Sequence, residues 1–125
     1  DFVTADTVFL CTGAGPAIPA IRGLDAVPYQ TYETIFDMPS LPKSLVVVGG
    51  GPIGCELAQA FARLGSSVSI VGKMLPREDE DVRAVMSKVF ADDGIVCASG
   101  HALEVQRTPG GVLVKTSSGQ MVEGE

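Results

Sequence analysis

The sequence predicts an α/β domain in which a parallel βαβαβ sheet is followed by a three-stranded antiparallel meander in place of the last crossover helix. Three observations lead there. A continuous apolar run, Leu45 to Val48, enters a glycine corner at Gly49, Gly51 and Gly54 and continues directly into a helical pattern. A second helical pattern, Asp79 to about Ala91, lies between two further apolar runs, Val68 to Val71 and Ile95 to Ala98. From Ala102 onward the pattern becomes an alternation in three short segments, Ala102 to Gln106, Val112 to Thr116 and Gln120 to Glu123. Thr108-Pro-Gly-Gly111 and Ser117-Ser-Gly119 divide them, as turns divide a meander.

Composition bounds the function. A chain of 125 residues with 46% hydrophobic residues can bury a core of its own. The formal charge of −6 argues against nucleic acid or an anionic membrane as partner, since both require a basic surface. It leaves room for a dinucleotide, which is held by local N–H groups and a few cations. No apolar run approaches a membrane span and no signal peptide opens the chain, so a cytoplasmic protein is expected. Cys11, Cys55 and Cys97 are odd in number and far apart, which suits buried thiols better than a disulfide framework or a metal site. Cys55 stands apart because a thiol in the first turn of a helix can have its pKa lowered.

Taken in order, the chain opens with a mixed lead, Asp1 to Asp6, and a short strand, Thr7 to Cys11, that ends at Thr12-Gly13. Ala14 to Pro28 is rich in Pro and Gly without periodicity and reads as an extended connector. Thr31 can cap a short helix over Tyr32 to Asp37 with Ile35 and Phe36 facing inward, which Met38-Pro-Ser-Leu-Pro42 terminates. The three valines Val46 to Val48 suit a strand buried on both faces of a parallel sheet. Pro52 fits the first helical position, where the missing N–H has no role. Ile53, Leu57, Ala60, Phe61 and Leu64 then recur at helical spacing, with Gly65 as the stop. Gly72 to Arg77 is a loop, and Asp79 is a candidate N-cap for a helix carrying Val82, Val85, Met86, Val89 and Phe90 on one face. The run Glu78 to Asp81 is a solvated, acidic helix start, and Gly94 ends that helix. His101 reads as a solvated or packing residue.

The spacing of Gly49, Gly51 and Gly54 is that of a dinucleotide-binding, Rossmann-like corner. The first glycine makes the turn, the second admits a pyrophosphate to the backbone, and the third lets helix and strand pack closely. The same triplet could serve only to pack a helix on a sheet.

The order of motifs resembles the NAD(P)-binding domain of the FAD-dependent pyridine nucleotide-disulfide oxidoreductases, which include dihydrolipoamide dehydrogenase, glutathione reductase and mercuric reductase. The resemblance covers nearly the whole chain. Its carriers are Thr12-Gly13, Gly23-Leu-Asp-Ala-Val-Pro28, Phe36-Asp-Met-Pro-Ser-Leu-Pro-Lys43, Val47 to Ala58, Phe61-Ala-Arg-Leu-Gly65 and Leu75-Pro-Arg-Glu-Asp79. It implies that a reduced nicotinamide passes hydride to FAD, and that the flavin in turn reduces a disulfide. Gly49, Gly51 and Gly54 would then shape the pyrophosphate turn, with Ile53 near the nicotinamide. Glu56 would project toward the nicotinamide amide, or is a first-turn carboxylate favoured by the helix dipole. Pro52 stands where some members carry an aromatic lid. Thr12 and Gly13 match the family's turn near FAD, with Cys11 in place of its alanine.

The sequence departs from the family pattern at the ribose end. Gly72 stands where a ribose-binding carboxylate is usual, and Lys73 follows it. Lys73 and Arg77 could pair with a 2′-phosphate, which favours NADP over NAD, or be ordinary solvated charges. The redox-active Cys-x4-Cys pair, the flavin-binding corner and the His-Glu pair of the dimerisation domain are not in this sequence. The expectation is a single NAD(P)-binding domain from a longer, homodimeric enzyme. Residues 1–44 would connect to a flavin domain, residues 45–100 would form the core, and residues 101–125 the meander. The alternative is a non-catalytic, stand-alone nucleotide-binding or interaction module.

Overall fold

The computed structural model describes residues 1–125 and contains the predicted succession of elements from Ser44 onward. Strands β1 (Ser44–Val48), β2 (Ser67–Val71) and β3 (Val96–Ala98) form a parallel sheet in that order. Val47 pairs with Ile70, and Ile70 with Cys97. Helix α1 (Pro52–Leu64) connects β1 to β2, and helix α2 (Glu80–Asp92) connects β2 to β3. Strands β4 (Ala102–Thr108), β5 (Gly111–Thr116) and β6 (Met121–Gly124) form a separate antiparallel sheet in chain order. The fold is α/β and Rossmann-like, with the meander in the place of a crossover helix.

The two-residue side-chain period of a strand divides the core between two faces of the parallel sheet. Val68 and Ile70 join Cys55, Ala58, Phe61, Phe90 and Ile95 on the helix side. Val71 and Ala98 join Val105, Val114 and Val122 on the meander side. A β-carbon on Gly124 would lie 2.8 Å from Val46 Cγ2, so β6 rests almost directly on β1. Ile21 and Val27 complete the second cluster because Arg22 is stitched to β4. Its N–H donates to the Leu103 carbonyl at 3.1 Å, and its own carbonyl accepts from Val105 at 2.8 Å.

The structure corrects the sequence reading at several points. No strand forms over Thr7 to Cys11, where Val8, Phe9 and Leu10 are exposed and no other segment of the chain offers them a backbone ladder. The helix expected over Tyr32 to Asp37 is a 3-10 turn, Ile35–Asp37, in which Ile35 is buried and Phe36 is 76% exposed. A three-residue turn separates successive side chains by about a third of a revolution, so only one can face inward. Thr34, not Thr31, is the N-cap of this turn and makes no side-chain capping bond, while Thr31 Oγ1 accepts the Glu33 N–H at 3.3 Å in the turn before it.

β1 is covered on both faces, Leu45 and Val47 packing on the helix-side cluster and Val46 on the meander-side one, but only in part. It pairs only with β2, its residues are half-buried, and Val48 is exposed. In α1 the buried side chains are Cys55, Ala58 and Phe61, whereas Ile53 and Leu64 face solvent. The close approach of Gly54 to β1, described below, turns that other stripe toward the sheet. Of the expected α2 face, Phe90 is buried and Met86 and Val89 are partly covered, but Val82 and Val85 are exposed. Asp79 does occupy the N-cap position, without a side-chain capping bond. Cys11 and Cys97 are exposed, and only Cys55 is a buried thiol. No helix is long and apolar enough to cross a membrane.

The end of α2 is tied to α1 through Asp93. Gln59 Nε2 donates to its carboxylate at 2.6 Å and Arg63 Nε at 3.1 Å, with a further Arg63 ion pair at 3.1 Å. The Gln59 hydrogen bond, then those from Arg63, hold the Asp93 pKa below its ordinary value. The folded pKa therefore lies below the unfolded value of about 3.9, so this contribution is present above that value and is lost as pH falls through the folded one. Asp93→Asn should flatten the acid limb of the stability curve below about pH 4 while leaving its neutral-to-alkaline shape unchanged. Thermal melts across pH 2.5 to 7 test this, and parallel acid limbs in the two proteins would refute it.

Candidate functional site

The glycine corner sits at the C-terminal end of β1, where the chain reverses into α1. Gly49 adopts φ 109°, a left-handed value that side-chain-bearing residues rarely adopt, and its N–H extends the sheet ladder to the Val71 carbonyl at 2.9 Å. Gly51 is the N-cap, with extended backbone at φ −71° and ψ 174°. Pro52 follows at the first helical position, and the Cys55 N–H closes the first turn onto the Gly51 carbonyl at 2.9 Å. The N–H groups of Gly51, Ile53 and Gly54 have no hydrogen-bond acceptor in the chain. They coincide with the positive end of the α1 dipole, the arrangement that receives anions.

The three glycines of the spacing differ in their surroundings. A β-carbon on Gly54 would collide with the Gly49 carbonyl oxygen and lie 3.4 Å from Val47 Cγ1. At Gly51 a β-carbon would meet nothing within 4 Å, so the backbone there borders open space. One glycine thus permits packing and the other leaves room.

Gly50, which the spacing leaves unassigned, proves to be as constrained as Gly54. A β-carbon there would lie 2.5 Å from the Lys73 carbonyl oxygen and 2.8 Å from Met74 Cα. The only signal in the sequence is that the corner holds three consecutive glycines where the spacing explains two. The loop after β2 is thus packed against the corner, backbone to backbone. Gly72 takes part at φ 135°, where a β-carbon would be 3.4 Å from the Gly50 nitrogen. Leu75 closes the contact, its N–H donating to the Gly50 carbonyl at 2.6 Å. It is buried and is the only non-glycine residue at positive φ, 43°.

Cys55 lies beneath the same loop, and its Sγ donates to the Gly50 carbonyl at 3.3 Å. Burial pushes the thiol pKa up, with the Leu75 N–H opposing it in part. The low-pKa thiol allowed by its place in the first turn is therefore not found. Glu56 is exposed and stands beyond the first turn of α1, which contains no acidic residue. Its side chain lines a cleft of about 160 Å³ with Pro52, Cys55, Gln59, Leu75 and Met86.

Lys73 and Arg77 are exposed, and neither forms an ion pair, the two in the molecule being Arg22–Glu104 and Arg63–Asp93. Two cations on the loop that abuts the corner are thus available to a ligand. Thr12 and Gly13 belong to the exposed segment before Ile21, and no hydrogen bond ties them to the corner. Their neighbour Ala14 accepts the Tyr32 hydroxyl at 3.4 Å. His101 is exposed, with Nδ1 3.1 Å from Ser117 Oγ across the meander loops.

Comparison with known proteins agrees with this geometry. The family model described as pyridine nucleotide-disulphide oxidoreductase matches residues 2–125. A mercuric reductase of Streptomyces lividans is 35% identical over 119 residues, covering 94% of this chain and 25% of its own. An NAD(P)H dehydrogenase (quinone) of Mycobacterium tuberculosis is 37% identical over 124 residues, with 96% and 25% covered. Among solved structures, the HOCl-induced flavoprotein disulfide reductase RclA of Escherichia coli superposes with a TM-score of 0.79 at 30% identity, covering 89% of this chain and 26% of that one. The chain spans about a quarter of the length of these relatives.

Proposed function

The chain belongs to the pyridine nucleotide-disulphide oxidoreductase family, and from that premise we propose that it binds NAD(P)H at the glycine corner and presents the nicotinamide to a flavin held elsewhere in the full-length protein. One observation carries the reading. The N–H groups of Gly51, Ile53 and Gly54 have no acceptor in the chain and sit at the positive end of α1, beside the open space at Gly51. The residues present fit a dinucleotide. Gly49 reverses the chain, Gly54 brings α1 close to β1, and Gly51 leaves the pyrophosphate its place. When bound, the nicotinamide supplies a hydride to FAD.

The chain's own residues orient that ligand. Ile53, 52% exposed on the first turn, offers an apolar surface to the nicotinamide, and Glu56 a hydrogen-bond acceptor to its amide. Pro52 fixes the start of the helix without donating. Thr12 and Gly13 would lie near FAD once the flavin domain is in place. The names of two relatives, one an NAD(P)H dehydrogenase and one a flavoprotein, support the same pairing of cofactors. The flavin site, the disulfide and a homodimer interface are proposed to lie in the remainder of the full-length protein.

At the ribose end Gly72 supplies no carboxylate, and Lys73 and Arg77 supply unpaired charge, which supports NADP over NAD. The reading is tested by titrating NADH and NADPH while following the backbone amides of Gly49 to Glu56. Unmoved amides at saturating concentrations of both would sink it. Lys73→Glu should shift the affinity ratio about five-fold toward NADH, the worth of one exposed charge contact and its reversal. An unchanged ratio would remove the 2′-phosphate from the proposal while leaving the glycine corner standing.

A further inference from the structure

We infer that Cys55 and Leu75 are positioning residues for the pyrophosphate, acting as a two-donor clamp on the Gly50 carbonyl that turns the Gly51 N–H outward. The inference rests on the dinucleotide reading above. The Gly50 carbonyl accepts the Leu75 N–H of the β2–α2 loop at 2.6 Å and the Cys55 thiol of α1 at 3.3 Å. In a trans peptide the carbonyl and the following N–H point in opposite directions. Fixing the Gly50 carbonyl therefore fixes the Gly51 N–H on the far side of the same plane, where it has no acceptor in the chain.

The position of that one N–H matters more here than in a corner with four donors. Pro52 has no N–H, so it removes a donor from the first turn and leaves Gly51, Ile53 and Gly54. Glycine at 50 and 51 gives the intervening peptide little steric restraint of its own. The clamp supplies that restraint from outside the corner. Leu75 maintains it at positive φ, which a leucine tolerates only where surrounding packing overdetermines the conformation. Its burial and the tight seat of Lys73 and Met74 over Gly50 provide that packing. Cys55 is buried in the helix-side core, so its thiol has little freedom to turn to another acceptor.

The test compares Cys55→Ala, which removes the thiol donor, with Cys55→Ser, which restores an O–H donor at the same place, both in the full-length protein. Cys55→Ala should weaken NADH, NADPH and ADP-ribose alike by about three-fold, the scale of one weak hydrogen bond, and leave adenosine affinity and kcat at saturating dinucleotide unchanged. Cys55→Ser should recover wild-type affinity. Equal affinity of wild type and Cys55→Ala for the pyrophosphate ligands would overturn the inference. An equal loss for adenosine would overturn it too, by showing a general structural effect. A wild-type protein that binds no dinucleotide would instead defeat the underlying reading. In the wild type, ADP-ribose should move the Gly51 amide resonance and adenosine should not, and a stationary Gly51 amide on ADP-ribose binding would also overturn the clamp.

Discussion

Gly54→Val is expected to cost the fold about 3 kcal/mol and lower its melting temperature by roughly 10 °C. At this position α1 crosses β1 so closely that even a β-carbon would collide with the Gly49 carbonyl oxygen, and Val47 Cγ1 stands just behind. Backbone cannot rotate aside as a flexible side chain can. The helix would have to lift, and the buried contacts of Ala58 and Phe61 with the sheet would loosen together. The branched valine adds bulk beyond the β-carbon and cannot be accommodated by a small shift. Differential scanning calorimetry measures the effect, and a melting temperature within 2 or 3 °C of wild type, about 0.5–1 kcal/mol, would show that the helix has slack this geometry denies it.

Gly51→Ala should do the opposite, sparing stability and damaging binding. Its φ of −71° suits alanine, and a β-carbon would meet no atom of the protein within 4 Å. Replacing glycine by alanine at an N-cap position costs the helix about 0.5–1 kcal/mol. The methyl group would, however, stand in the open space proposed for the pyrophosphate, where the backbone must approach the ligand. The expected result is an about thirty-fold rise in the Kd for both NADH and NADPH, near 2 kcal/mol, with the melting temperature of the free protein lowered by only about 2 or 3 °C. A calorimetric titration of the variant checks it. Unchanged affinity would place the pyrophosphate elsewhere. The two variants together would separate packing from binding within one motif, along the division of roles between its second and third glycines.

The strands and helices were legible because the period of their apolar residues is a local property. β2, α2, β3 and the meander fall within a residue or two of where alternation and helical spacing place them. Turn chemistry was equally readable. Gly65 and Gly94 stop their helices at positive φ, and Pro109-Gly110 forms the two-residue loop between β4 and β5. The corner was legible through Gly49, Gly51 and Gly54, including the packing duty of Gly54, although not the equal constraint on Gly50. The family followed from several motifs in order, and no single one would have sufficed.

What escaped the sequence depends on which surfaces meet. Helical spacing placed Ile53, Leu57, Ala60, Phe61 and Leu64 on α1 but could not choose between that stripe and the one through Cys55, Ala58 and Phe61. The helix rotates to seat Gly54 on Gly49, and Ile53 is left exposed at the mouth of the corner. Phe36 and the valines of α2 were assigned inward from hydrophobicity alone. Their exposure follows from a turn too short to bury two neighbours and a helix that covers the sheet only at its C-terminal end. Cys55 could have been a reactive thiol by its place in a first turn, and burial makes it a structural one.

By itself, the sequence determined the order of strands and helices, the glycine corner and the absence of a carboxylate at Gly72, because periodicity, turn chemistry and residue identity act over a few neighbouring positions. Only the tertiary structure decided that the loop after β2 lies on Gly50, held by Leu75 in a left-handed conformation and by the Cys55 thiol. That contact joins residues some 25 positions apart in the sequence. No local pattern encodes it, because it depends on how closely two backbones approach once α1 has packed on the sheet.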